Sequence, residues 1–195
     1  MDKKYDEEIQ ALKKILMFSP EDIELRSALS TAYFNSENYD EALNHALCVI
    51  ELDEKDPQAY CNLGSCYSAQ NMTDQAIEAF QKATEIDPDY SLPHTNLGSL
   101  YATIGRIEKA IKEFKLATSM NQSDSLAWMN LYSCYKEIGR MEDAQEAFRK
   151  YENLMNQGPQ EENQTNIPGG VSSTGQLASG GNLDTASPGM EELTS

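Results

Sequence analysis

Along about the first four-fifths of the chain, apolar residues recur at spacings of three, four and seven, which gathers their side chains on one face of an α-helix. These faces come in pairs. Residues 57–90 carry Tyr60, Leu63, Gly64 and Tyr67 in their first half, then Ala76, Phe80, Ala83 and Pro88 in their second. The same columns return 34 residues later as His94, Leu97, Gly98, Tyr101, Ala110, Phe114 and Ala117, with Gln122 in the place of Pro88. They return again as Trp128, Leu131, Tyr135, Ala144 and Phe148, where Tyr132 replaces the small glycine. Residues 23–56 keep Leu29, Tyr33 and Ala42 but have Ala46 where a large ring is expected. A fixed period of this size marks a stacked repeat protein, each repeat being one pair of antiparallel helices. The pattern predicts an all-α chain of about nine helices. Residues 1–22 supply a capping helix, the second half of a degenerate repeat, with Pro20 in register with Pro88. Four repeats follow at 23–56, 57–90, 91–124 and 125–156.

Beyond residue 157 the periodicity stops. The segment 157–195 holds seven of the 11 glycines, is rich in Ser, Gln and Asn, and has no basic residue. So little apolar surface does not offset the entropy of ordering, and this composition predicts a disordered acidic tail.

The pattern of columns resembles the tetratricopeptide repeat, which places a large apolar residue, Leu, Gly, Tyr, Ala, Phe, Ala and Pro at these positions. The likeness implies a right-handed superhelix, an α-solenoid, in which the first helix of each pair lines a concave groove. It also implies a module that binds other proteins.

One phrase points to the groove. CNLGSCY at 61–67 returns as TNLGSLY at 95–101 and MNLYSCY at 129–135. At about 100° per residue, Asn62 and Ser65 fall beside the packed edge that holds Leu63 and Tyr67. In the resembling family that side faces the groove. Asn62, Asn96 and Asn130 then form a ladder, with Ser65, Ser99 and Ser133 next to it. An amide both donates and accepts, so such a ladder pairs with the backbone of an extended peptide whatever its side chains. Other positions expected in the groove are small or neutral: Cys61, Ser68 and Ala69, then Leu92, Thr95, Ala102 and Thr103, then Leu126 and Met129. The family's clamp for acidic chaperone tails needs cations, but Ser27, Thr31 and Leu92 stand at those registers, and a carboxylate withdrawn from water without a cation is unfavourable.

Charge narrows the partners. Thirty-two acidic against 15 basic residues give a net charge of −17, which disfavours nucleic acid and anionic membrane surfaces and favours neutral or basic protein segments. No run is apolar enough for membrane insertion, and the acidic start argues for a cytoplasmic chain. Arg106, Lys109, Lys112 and Lys115 recur at threes on one second helix and read as a solvated outer face. Cys48, Cys61, Cys66 and Cys134 lie in helical patterns and read as free thiols; His45 and Cys48, one turn apart, lack the further ligands a metal needs. No cofactor or catalytic constellation is expected, and the chain reads as non-enzymatic.

The leading expectation is an adaptor, scaffold or co-chaperone that binds an extended peptide. Phe148, Tyr151, Leu154 and Met155 on the last helix offer an apolar face with no helix after it, so a self-assembling scaffold is the alternative. A secretion or assembly chaperone for one client and a non-catalytic subunit of an enzyme complex are two others.

Overall fold

A computed structural model of the protein describes residues 3–156. The tail expected at 157–195 lies outside the described residues. Nine α-helices occupy the described chain: α1 Lys3–Leu16, α2 Ile23–Asn35, α3 Tyr39–Leu52, α4 Pro57–Ala69, α5 Thr73–Ile86, α6 Ser91–Thr103, α7 Ile107–Met120, α8 Ser125–Glu137 and α9 Met141–Asn156. Among the described residues there is no strand, and no helix is long and apolar enough to cross a membrane.

Helix starts are written into the repeat. Asp22, Asp56 and Asp124 accept backbone N–H groups of the first turns of α2, α4 and α8, satisfying donors that have no partner inside the helix. Pro57 follows Asp56 at a position where no N–H is needed. At the fourth such place Tyr90 precedes α6 and provides no side-chain cap.

The turns inside each pair are equally regular. Glu37, Asn71, Gly105 and Gly139 all have φ between 61° and 76°, the left-handed conformation that ends a helix and reverses the chain. After each, an N–H reaches back to a tyrosine carbonyl: Asn38 to Tyr33, Met72 to Tyr67, Arg106 to Tyr101 and Arg140 to Tyr135, at 2.8–2.9 Å.

Each helix packs on its sequence neighbours, and α2, α4, α6 and α8 also touch in succession, whereas the odd-numbered helices do not touch each other. The even-numbered helices therefore form the inner layer of a curved α-solenoid. Burial agrees with that placement. Helix α6 buries Pro93, His94, Thr95, Leu97, Gly98, Leu100 and Tyr101, which lie on several faces. Helix α5 buries only the stripe Ala76, Ala79, Phe80 and Ala83.

Close approach within a pair depends on glycine. A Cβ on Gly64 would lie 2.7 Å from the Phe80 ring, and one on Gly98 would lie 2.7 Å from the Phe114 ring. Phe80 and Phe114 are accordingly 1% and 0% exposed.

Candidate binding groove

The Asn positions repeat because the helices do, and each lies on an inner-layer helix next to the preceding one. Asn96 Nδ2 donates towards Cys61 Sγ at 3.7 Å, and Asn130 Nδ2 donates to Ser99 Oγ at 3.4 Å. Both contacts are long. They tie α6 to α4 and α8 to α6 across the inner seam. Asn62 stands one period before Asn96, and Ser27 one period before Cys61. Here the seam is open in chemistry though closed to solvent: Asn62 Nδ2 and Ser27 Oγ are both buried without a hydrogen-bond partner among the described residues.

The serines beside the ladder point their protons inward. Ser65, Ser99 and Ser133 donate to the carbonyls of Cys61, Thr95 and Met129, four residues back, at 2.9–3.1 Å. Thr31 and Thr103 do the same to Ser27 and Ser99. A hydroxyl whose proton is used this way offers only lone pairs outward. The inner face is thus rich in acceptors.

Ser65, Asn96 and Ser99 line an open pocket of about 330 Å³ together with Phe34, Leu100 and Ile104. Asn62, Asn96, Asn130, Ser65 and Ser99 are half-buried, and Ser133 is exposed. Leu92 and Leu126, 46% and 58% exposed, give the face apolar contact points. Two positions expected to line the groove do not. Cys61 is 1% exposed and Thr95 2%, and Thr95 donates to the Asp124 carboxylate at 2.7 Å. Both fill the seam between inner helices, because the curvature brings residues directly preceding the Asn register into contact.

The thiols are quiet. Burial pushes Cys61 up to about 12, against hydrogen bonds from Tyr90 and Asn96, and burial pushes Cys66 up to about 11. All four cysteines are free. With its pKa raised, the thiol of Cys61 or Cys66 is protonated and poorly nucleophilic near neutral pH. Among the described residues no group of three or more His, Cys, Asp or Glu side chains forms a metal site.

The residues expected to self-associate split into two groups. The Phe148 ring is tilted against those of Tyr132 and Tyr151, with centroids 5.0 and 6.1 Å away. Leu154 instead lines a separate slot with Trp128, Leu131 and Tyr135. Met155 is 58% exposed. Sequence reasoning missed both the orphaned Ser27 hydroxyl and the inward serine protons. The 34-residue offset between Ser27 and Cys61 was the available signal for the first.

Comparison with known proteins bears on this arrangement. A tetratricopeptide repeat model matches residues 57–90, and a second model of that repeat matches 79–112. The sequence matches no curated protein. Among solved structures, MamA is similar at 25% identity, over 78% of this chain and 90% of its own, with a TM-score of 0.66. TTC0263, a thermophilic tetratricopeptide repeat protein of Thermus thermophilus, is 21% identical over 80% of this chain and 84% of its own, with a TM-score of 0.69. The pilF protein of Pseudomonas aeruginosa is 14% identical over 77% and 69%, with a TM-score of 0.70. The last two likenesses are of fold. With two repeat models matched over residues 57–112 and helix pairs stacked in register, the chain carries tetratricopeptide repeats, a fold that serves as a scaffold for contacts between proteins.

Proposed function

We propose that the inner face holds an extended, neutral-to-basic peptide segment of a partner protein, with Asn62, Asn96 and Asn130 as the ladder and Ser65, Ser99 and Ser133 beside it. The observation that carries this reading is Asn62 Nδ2, which has no hydrogen-bond partner among the described residues, whereas Asn96 and Asn130, one and two periods along, each have one. A buried polar group left unpaired costs about 1–3 kcal/mol, so a ligand towards which the half-buried Asn62 side chain turns its amide gains more than surface contact alone. Asn96 and Asn130 spend a proton on the preceding helix but keep their carbonyl oxygens. With the serines, they favour a donor-rich ligand: backbone N–H groups, and Lys or Arg side chains attracted by the acidic chain.

The test is binding of wild type and Asn62→Ala to synthetic extended peptides of neutral, basic and acidic composition. Wild type should prefer the neutral and basic peptides. Asn62→Ala should lose about fivefold, the equivalent of about 1 kcal/mol, without melting earlier. Equal binding by the two proteins sinks the reading. A client-specific chaperone and a non-catalytic subunit would use the same groove and differ in the partner.

The last repeat favours a second reading, self-association. Phe148 is half-buried where Phe80 and Phe114 are fully buried, and with Tyr132, Tyr151 and Met155 it forms an aromatic end that no further helix covers among the described residues. Light scattering over rising concentration should show dimers or larger species that Phe148→Ser reduces; a mass that stays monomeric throughout rejects it.

A further inference from the structure

Helices α1 and α3 flank α2 without touching each other. Between them lies a pocket of about 330 Å³ that includes Lys13, Met17, Arg26, Tyr33, Glu41 and His45. Its charge is out of keeping with the chain. A protein of net charge −17, with 32 acids available for 15 bases, here has two cations and an imidazole facing one acid, Glu41. Among the described residues, neither Lys13 nor Arg26 is within ion-pair distance of any carboxylate.

The pocket is also held in shape. Arg26 Nε donates to the Pro20 carbonyl at 2.8 Å, which anchors the guanidinium and, among the described residues, leaves its other N–H groups unclaimed. The His45 ring stacks on Tyr33, with centroids 5.6 Å apart and planes 14° from parallel. His45 Nδ1 is buried and has no hydrogen-bond partner among the described residues, which leaves Nε2 of this half-buried ring to meet a ligand. Guanidinium, ammonium and imidazole together form the usual chemistry for an oxyanion. Two unmatched cations suit a dianion better than a carboxylate. Next to the pocket, Met17 and Phe18 are 79% and 88% exposed, an apolar ledge that a free ion does not need but a polypeptide does.

We infer that this pocket binds a phosphoryl group carried on a partner polypeptide, with Arg26 and Lys13 supplying charge, His45 supplying a hydrogen bond, and Met17 and Phe18 meeting an apolar neighbour of the phosphorylated residue. The site stands apart from the inner groove and does not depend on it.

The pocket has a pH signature. His45 is lowered from its ordinary value by burial first and then by the Arg26 cation, with Lys13 acting the same way and Glu41 opposing; Tyr33 faces it as a neutral ring. A bound phosphoryl group favours the protonated ring and raises its pKa. Binding therefore strengthens as pH falls through the His45 range.

The test uses the full chain, whose two histidines give two resolvable sets of ring resonances. His45 and His94 are titrated at constant ionic strength with chloride, with inorganic phosphate, with a capped Ala-Leu-phosphoserine-Leu-Ala peptide, and with its unphosphorylated twin. The phosphopeptide should raise the His45 pKa by about one unit and leave His94 unmoved. It should bind roughly tenfold tighter than inorganic phosphate. Arg26→Gln and the exposed Lys13→Gln, each confirmed helical, should remove or sharply weaken the response. The inference is overturned if His45 ignores the phosphopeptide, if chloride or the unphosphorylated twin has the same effect, or if the response survives in both variants. A response to inorganic phosphate with no gain from the peptide overturns the polypeptide as the source.

Discussion

The Tyr132 ring lies 5.0 Å from the Phe148 ring, at the register where Gly64 and Gly98 let the helices close onto Phe80 and Phe114. A bare backbone lets the phenylalanine sink into the pair; a tyrosine there holds it at the surface. One substitution in the repeat thus converts a core residue into part of an aromatic end.

The converse is testable in the middle of the array. Gly98→Ala removes a glycine from a helix interior, which by propensity alone favours folding by about 1 kcal/mol. Its Cβ would meet the Phe114 ring at 2.7 Å, on a side chain that is 0% exposed. Overpacking of this kind costs about 1–3 kcal/mol, so we expect no gain and a net loss, read as a lower urea midpoint. A higher midpoint would mean that the ring yields freely.

Glu37 should respond in the opposite direction. It holds φ at 61°, while Gly105 and Gly139 occupy the same place two and three periods along with φ of 72° and 76°. A left-handed conformation costs a residue with a Cβ about 1 kcal/mol that glycine avoids. Glu37→Gly should therefore stabilise the protein by up to about 1 kcal/mol, less the entropy glycine adds to the unfolded chain. Thermal melting of the pair of proteins decides it, and a lower melting temperature for the variant contradicts the argument.

Most of the helices were readable from the chain because each carries its own period of apolar residues and the pattern returns every 34 residues. The left-handed turn residues were harder. Glu37, Asn71, Gly105 and Gly139 share a backbone conformation but not a residue type, so no column of identical letters marks them. The shared helix face of Asn62, Asn96 and Asn130 was legible from its angle to Leu63 and Tyr67. Its bonding was not. Whether an Asn amide meets the preceding helix depends on the curvature of the stack, which brings Cys61 and Ser99 close to Asn96 and Asn130 but leaves Ser27 and Asn62 unpaired.

Caps should be worth measurable stability. Asp56 Oδ1 accepts from Gln58 and Ala59 at 2.8 and 3.1 Å at the start of α4. Asp56→Ala should cost about 1 kcal/mol by denaturant melting. Asp56→Asn, which keeps the acceptor, should recover most of it. If Asn fails to recover it, charge and not capping is the cause.

Alkaline pH should weaken the fold through its buried thiols. Cys61 and Cys66 are pushed up to about 12 and 11 by burial, from an ordinary value of 9.0. Between pH 9 and about 11 the folded state therefore holds protons that the unfolded state has released. Their stabilising effect is complete below pH 9 and is lost as pH rises towards the folded values. The wild type should lose on the order of 1–2 kcal/mol of stability between pH 8.5 and 10.5 through Cys61. Cys61→Ala should start lower, because it opens a small cavity, but fall less steeply over the same range. Parallel pH profiles for the two proteins would exclude the thiol as the cause.

The inner seam gives the last prediction, because it sets stability against binding. Asn96 and Asn130 each form a long bond to the neighbouring helix, so replacing either by Ala trades a weak contact for about 0.5 kcal/mol of helix propensity and should change stability little. Asn62 has no such bond to lose, and neither has Ser27. Removing a buried polar group that has no partner relieves its desolvation cost, so Asn62→Ala and Ser27→Ala should each raise the melting temperature, by the equivalent of about 1 kcal/mol. If Asn62→Ala is more stable and also binds peptide less well, the unpaired amide is held at the expense of stability for the sake of a ligand. If it is less stable, the amide is already satisfied at the seam, and the groove loses the group that most favours a peptide there.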